Sequence, residues 1–123
     1  MKTKVAELQE TEILKDCIID SIQDKKGENI VSLDLRKIND AVTQYFIICD
    51  ASTNVQVKAI ADHVFQNVKD KTGQRPWHKE GFENLEWVLL DYVDVVVHVF
   101  RTSTREFYEL EELWDDAEKE EFK

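Results

Sequence analysis

The sequence predicts an α/β (α+β) protein: a mixed β-sheet of about five strands covered by helices. Three observations lead there. Apolar residues form stripes of helical period in separate segments, short β-branched and aromatic runs lie between them, and the 123 residues include only three glycines and one proline. So few breakers leave most of the chain for regular elements. Stripes and half-buried strands must bury their apolar sides against one another, and helices laid on a mixed sheet do this.

The first helix is expected near Glu7–Lys26, where Leu14, Cys17, Ile18, Ser21 and Ile22 recur at three- and four-residue steps. Lys25 and Lys26 suit a helix C-terminus, and Gly27 is placed to take the left-handed cap. Val31, Leu33 and Leu35 then alternate with Ser32 and Asp34, the pattern of a half-buried strand. Tyr45-Phe46-Ile47-Ile48-Cys49 is an apolar run long enough for a central strand and too short for a helix. The period changes again after Thr53. Thr53 and Gln56 have capping-box spacing, and Val57, Ile60, Ala61, Val64 and Val68 trace a second helical stripe that should end near Thr72, with Gly73 as its stop.

Gln74 to Leu85 contains Pro76 and Gly81 and is expected to form a loop with a short strand. Trp87–Leu90 and Val95–Phe100 flank Asp91-Tyr92-Val93-Asp94 and read as a hairpin. Ser103 and Glu106, again at capping-box spacing, precede a third helix with the stripe Phe107, Leu110, Leu113 and Trp114. The predicted order is α-β-β-α-β-β-β-α. No repeat or linker divides the chain, so one domain is expected over 1–116, followed by an acidic tail over 117–123.

Charge narrows the function. The formal net charge is −10, and from Glu106 to Lys123 nine acidic residues face two basic ones. Affinity for a phosphate backbone comes largely from Lys and Arg displacing counterions, so direct nucleic-acid binding is disfavoured; a basic protein partner suits the charge, and the plainer alternative is that net acidity only keeps the protein soluble. No apolar run approaches the roughly 18 residues that suggest a membrane span, and the start at Met1-Lys2-Thr3-Lys4 is not followed by an apolar signal-peptide core. Cys17 and Cys49 lie in apolar stretches without metal-like spacing, as expected of buried thiols in a reducing cytoplasm.

Residues able to carry chemistry are few. The three glycines are isolated, so no loop cradles a phosphate. Cys49 with His63 or His98 has no sequence context of a nucleophilic pair. Asp91, Asp94 and His98 could hold a divalent ion, but aspartates at a hairpin turn more commonly accept backbone N–H bonds. Trp87 either packs in the core or faces outward beside Tyr92 and Asp91 as the anchor of an interface. Trp77 lies in the loop before Gly81 and is a candidate for exposure, whereas Trp114 belongs to a helical stripe. A divergent nucleotidyltransferase, with metal on Asp91 and Asp94 and nucleotide near Asp50–Thr53, is the rival reading; Asp50-Ala51 makes a poor phosphate cradle.

Five blocks together resemble the ribosomal silencing factor family, RsfS, also known as the Iojap or YbeB family. They are Tyr45–Ser52, Gln56–Val64, Glu80-Gly81, Trp87–Phe100 and Arg105–Trp114, in order and spacing over roughly residues 10 to 116. The resemblance implies a cytoplasmic protein with a nucleotidyltransferase-like fold and no catalytic, cofactor or metal site. It implies binding to the L-fourteen protein of the large ribosomal subunit, which obstructs small-subunit joining and represses translation when nutrients are scarce. The family's W-x-L-x-D block carries the partner-binding role over to Trp87, Asp91, Tyr92 and Asp94, and members of the family are found self-associated. His63 and His98 match family positions without an assigned role. The chain departs from the family pattern at Ala51 and Val93, where glycine is usual, and in its acidic end, Glu118 to Lys123. A β-branched Val93 resists positive φ, so a different turn geometry is expected there.

Overall fold

A computed structural model describes residues 3–123, apart from the Lys4 side chain; the basic start at Met1-Lys2 lies outside the described residues. The elements are α1 (Lys4–Asp24), β1 (Glu28–Asp34), β2 (Tyr45–Ala51), α2 (Asn54–Thr72), β3 (His78–Glu80), β4 (Trp87–Asp91), β5 (Val95–Arg101), α3 (Thr102–Tyr108), α4 (Leu110–Leu113) and β6 (Glu118–Phe122). The strands form one mixed sheet in the order β3-β4-β5-β2-β1-β6. Among the described residues only β2 and β5 pair in parallel, and they form the sheet's centre, in keeping with the unbroken buried runs of both strands.

The α/β class and mixed sheet are as expected, with one strand more than predicted. The sixth strand comes from the segment read as a charged tail. Glu118–Phe122 pairs antiparallel with β1, from Asp34↔Glu118 to Ile30↔Phe122. Its residues Glu-Lys-Glu-Glu carry no apolar alternation, because an edge strand needs only backbone partners and charge there discourages further pairing. Phe122 packs on the main core, and the Gln23 side-chain amide donates to the Lys123 carbonyl at 2.7 Å.

Helices α1 and α2 cover one face of the sheet. Beneath them Ile18, Ile22, Ile47, Ile60, Val64, Val97 and Val99 are buried in a single cluster. Each helix is held at its ends by local chemistry. Thr3 and Thr53 accept from the N–H groups of Ala6 and Gln56, both at 3.1 Å. The Gln56 side chain does not reach back to complete a capping box and instead points at the Lys25 and Lys26 carbonyls. Gly73 ends α2 at φ 76°, as expected.

The end of α1 differs from expectation. Lys26, not Gly27, takes positive φ (59°), and the N–H groups of Lys26 and Gly27 close on the carbonyls of Gln23 and Ile22 at 3.0 Å each. This is a Schellman closure one residue earlier than predicted. Glycine follows because a Cβ at position 27 would collide with the Ile22 side chain.

The opposite face carries a second, smaller cluster of Val31, Leu33, Leu35, Phe46, Ile48, Val96, Phe100 and Leu110. Its cover is the 35–44 loop and the short helices α3 and α4. The third helix does not run through to Trp114 as predicted. Glu109 takes φ 48° and ψ 47° and breaks it, so Phe107 and Leu113 turn outward, Leu110 stays buried and Trp114 sits edge-on to Phe46 at 5.6 Å. Arg101 provides no side-chain cap, so Ser103 and Glu106 form no capping box.

Candidate partner-binding surface

Strand β4 alternates, and the alternation decides which predicted residues can act together. Val88, Leu90 and Tyr92 enter the helix-covered cluster, while Trp87 and Leu89 pack from the other side. Across the ladder Trp87 stands opposite Phe100, Leu89 opposite His98 and Asp91 opposite Val96. Trp87, Leu89 and Asp91 are each half-buried, so this row stays partly open to solvent on the sheet face that carries the second cluster.

Trp87 is held on several sides. Its ring stacks on Phe100 (centroids 4.7 Å, planes 28° apart) and lies 5.2 Å from Tyr108. Its indole Nε1–H donates to His98 Nδ1 at 3.0 Å. An indole nitrogen only donates, so Nδ1 must be the acceptor and the neutral ring carries its proton on Nε2. That Nε2 is buried without a partner, an arrangement that costs about 1–3 kcal/mol. Burial also holds the imidazole in its neutral form, pushing its pKa down to about 3.

Tyr108 and Phe107 extend the apolar surface beyond Trp87. They are 54% and 79% exposed and meet edge-to-face at 5.0 Å. An anchored elbow presents them. Arg105 Nη1 contacts Asp50 at 3.0 Å and the Asn29 carbonyl at 2.6 Å, while Nε contacts Glu111 at 2.9 Å. Burial pulls the Arg105 pKa down, but the Glu111 hydrogen bond and the charges of Glu111 and Asp50 outweigh this and raise it. One side chain thus ties α3 to the sheet and α4 to α3. On the flank of α3 nearer β6, a cleft of about 870 Å³ is rimmed by Glu106, Glu109, Glu112 and Glu121. Arg105, Lys119 and Lys123 line the same cleft, so its charge is mixed, with the glutamates of α3 and α4 lying next to Tyr108 along the chain.

The remaining predicted site residues lie elsewhere. Tyr92 is only 5% exposed and points under α1 and α2, so it forms no common outer surface with Trp87. An even number of residues separates the partners of one strand face, and Trp87 and Tyr92 are five apart. Asp94 accepts from Thr11 at 3.3 Å and from Gln44 at 3.4 Å, which ties the hairpin to α1. Asp91 accepts from the Val93 N–H at 2.8 Å, the turn role weighed against metal binding. Val93 itself sits at φ 76°, contrary to expectation; the Asp94 N–H closes on the Tyr92 carbonyl at 3.0 Å, and the Asp91 carboxylate holds the strained residue in place.

Trp77, 77% exposed, donates its backbone N–H to the Asp91 carbonyl at 2.8 Å. His63 lies 3.0 Å from Asp24 at the surface. Cys17 and Cys49 are free and buried. Among the described residues no group of three or more His, Cys, Asp or Glu converges as a metal site requires. Asp50, central to the nucleotide reading, is 2% exposed and is engaged by Thr102, Asn29 and Arg105.

Sequence reading missed Leu89 and Tyr108 as members of this surface. Leu89 was legible in the strand's period, two residues from Trp87. Tyr108 was not, because its exposure depends on the break at Glu109.

Fold and surface together define a small mixed-sheet α/β protein whose built feature is an aromatic ledge beside the glutamates of α3 and α4. Residues 8–123 match the family model described as "Ribosomal silencing factor during starvation", and the chain belongs to that family. The ribosomal silencing factor RsfS of Bacillus subtilis is 44% identical over 76% of this chain and 78% of its own length. That of Halalkalibacterium halodurans is 40% identical over 80% and 83% respectively. The crystal structure of a Chromobacterium violaceum protein superposes with a TM-score of 0.80 at 36% identity, covering 85% of each chain.

Proposed function

We propose that this protein docks on the large ribosomal subunit, through the basic L-fourteen protein, and blocks the small subunit from joining. The observation that carries this reading is the ledge of half-buried Trp87 and Leu89 with exposed Tyr108, beside the Asp91 carboxylate and the glutamates of α3 and α4. Interfaces concentrate their energy in such aromatic anchors, while surrounding charge steers encounter with a partner of opposite sign. The net charge of −10 fits a basic protein surface better than bare ribosomal RNA. The mechanism is occupancy, with no bond made or broken: a protein seated on the joining face takes the space the small subunit needs. Repression of translation follows from that occupancy, and the family description supports placing it under nutrient limitation, in the cytoplasm.

The test is co-sedimentation with separated ribosomal subunits, then a subunit-joining measurement on the same samples. Pelleting with large subunits only, weakened by salt, together with fewer joined ribosomes, is the expected result. Trp87→Ala should fold and lose about 2 kcal/mol of binding, roughly 30-fold in affinity. If the folded variant pellets as well as the parent protein, the contact surface lies elsewhere.

A further inference from the structure

We propose that His98 is a positioning residue, whose Nδ1 fixes the Trp87 indole in the orientation that a partner meets. The inference rests on the docking surface proposed above and gives a role to a side chain that no partner could touch directly. His98 is buried on β5, edge-on to Phe46 at 4.6 Å and diagonal to Trp87 across the ladder. Packing alone would be better served there by an aliphatic side chain, because the imidazole brings a buried Nε2–H that finds no acceptor. What the imidazole adds is one acceptor, and the Trp87 Nε1–H uses it at 3.0 Å.

Without this bond the indole keeps its contacts with Phe100 and Tyr108, but neither ring contact selects the N–H edge, so the indole can shift or flip. A flipped or mobile indole must be ordered again at each encounter, so affinity falls. The bond fixes one orientation before the partner arrives.

Two substitutions separate positioning from packing. His98→Leu keeps the volume and removes the acceptor. His98→Asn keeps an acceptor where Nδ1 stood but leaves a small void and a buried amide. Positioning predicts that stability and binding change in opposite order. His98→Leu should match or exceed the parent Tm yet bind purified large subunits about 5- to 10-fold more weakly, while His98→Asn should melt lower and bind within about 2-fold of the parent. On a Trp87→Phe background, which lacks the indole N–H, His98→Leu should cost no further affinity.

The free protein gives an independent readout. The Trp87 indole N–H resonance, assigned by its loss in Trp87→Phe, should shift and exchange faster in His98→Leu and be restored towards the parent position in His98→Asn. An unmoved resonance, or binding that simply follows Tm across the variants, overturns the positioning role. A moved resonance with large-subunit binding that Trp87→Ala leaves intact overturns instead the docking surface on which the role rests.

Discussion

The two faces of the sheet are built by different rules. Under α1 and α2 the cluster is almost wholly aliphatic, with Ile18, Ile22, Ile47, Ile60, Val64 and Val97 fully buried. On the other face Phe46, His98, Phe100, Trp87 and Trp114 meet as rings, under a cover of two short helices and a loop. Among the described residues the aliphatic face leaves one buried side-chain polar atom unpaired, the Tyr92 hydroxyl. The aromatic face holds an unpaired imidazole proton and leaves Trp87, Tyr108 and Phe107 in reach of solvent. A face built only for stability would not keep those rings at the surface. The contrast teaches that the fully buried aliphatic core lies under the long helices, while the ring-built side is the one that leaves surface free for the recognition proposed above.

The hinge between the two regimes is Arg105, and removing it should have the largest effect. Arg105→Ala leaves Asp50, 2% exposed, without its counter-charge, and the loss of one partner from a buried pair costs about 3–5 kcal/mol. Denaturant unfolding should report that loss, and α3 with its aromatics should become protease-sensitive. A cost below about 1 kcal/mol would show that the elbow is not anchored by this pair.

Neighbouring leucines on β4 divide the two faces most directly. Leu90→Ala, in the sealed core, should lose about 2–5 kcal/mol of stability, with large-subunit affinity unchanged below its melting temperature. Leu89→Ala, half-buried on the aromatic side, should lose about 1 kcal/mol or less of stability and several-fold in binding. Equal binding losses in both variants would erase the distinction between the faces.

Acid should act through the aromatic face. His98 is held neutral by burial with a pKa of about 3, whereas the unfolded chain takes up its proton near pH 6.5. Between those values the unfolded state binds the extra proton, so this residue's contribution is complete above about pH 6.5 and is lost as pH falls towards 3. The slope is at most about 1.4 kcal/mol per pH unit. Stability measured from pH 7 to 4 should fall more steeply in the parent than in His98→Leu; parallel curves would place the imidazole in a more solvated site.

The smallest effect is expected at the hairpin turn. Val93 pays for positive φ with a β-branched side chain. Val93→Gly should raise stability by about 1 kcal/mol, a few degrees in Tm, without altering binding. A fall in Tm would mean that the valine side chain gains more from its surroundings than its backbone loses.

Much of this architecture is legible residue by residue. The stripe from Val57 to Val68 and the stop at Gly73 dictate α2, because helical period and a left-handed glycine are local properties. The run Tyr45–Cys49 announces a central strand for the same reason, and the W-x-L-x-D spacing already assigns Trp87, Leu89 and Asp91 to one side. Tertiary structure decided the rest. The charged segment Glu118–Phe122 becomes a strand only because β1 offers it a free edge. The break at Glu109 goes with the way Arg105 ties α3 to Asp50 on β2 and to Glu111 on α4, contacts between residues up to 55 positions apart. Tyr92 faces the helices because the ladder register sets its side, and Trp87 acquires its orientation from a histidine on the neighbouring strand. Local period and turn chemistry are written in adjacent residues, whereas exposure and partnership are set by whatever the fold brings alongside.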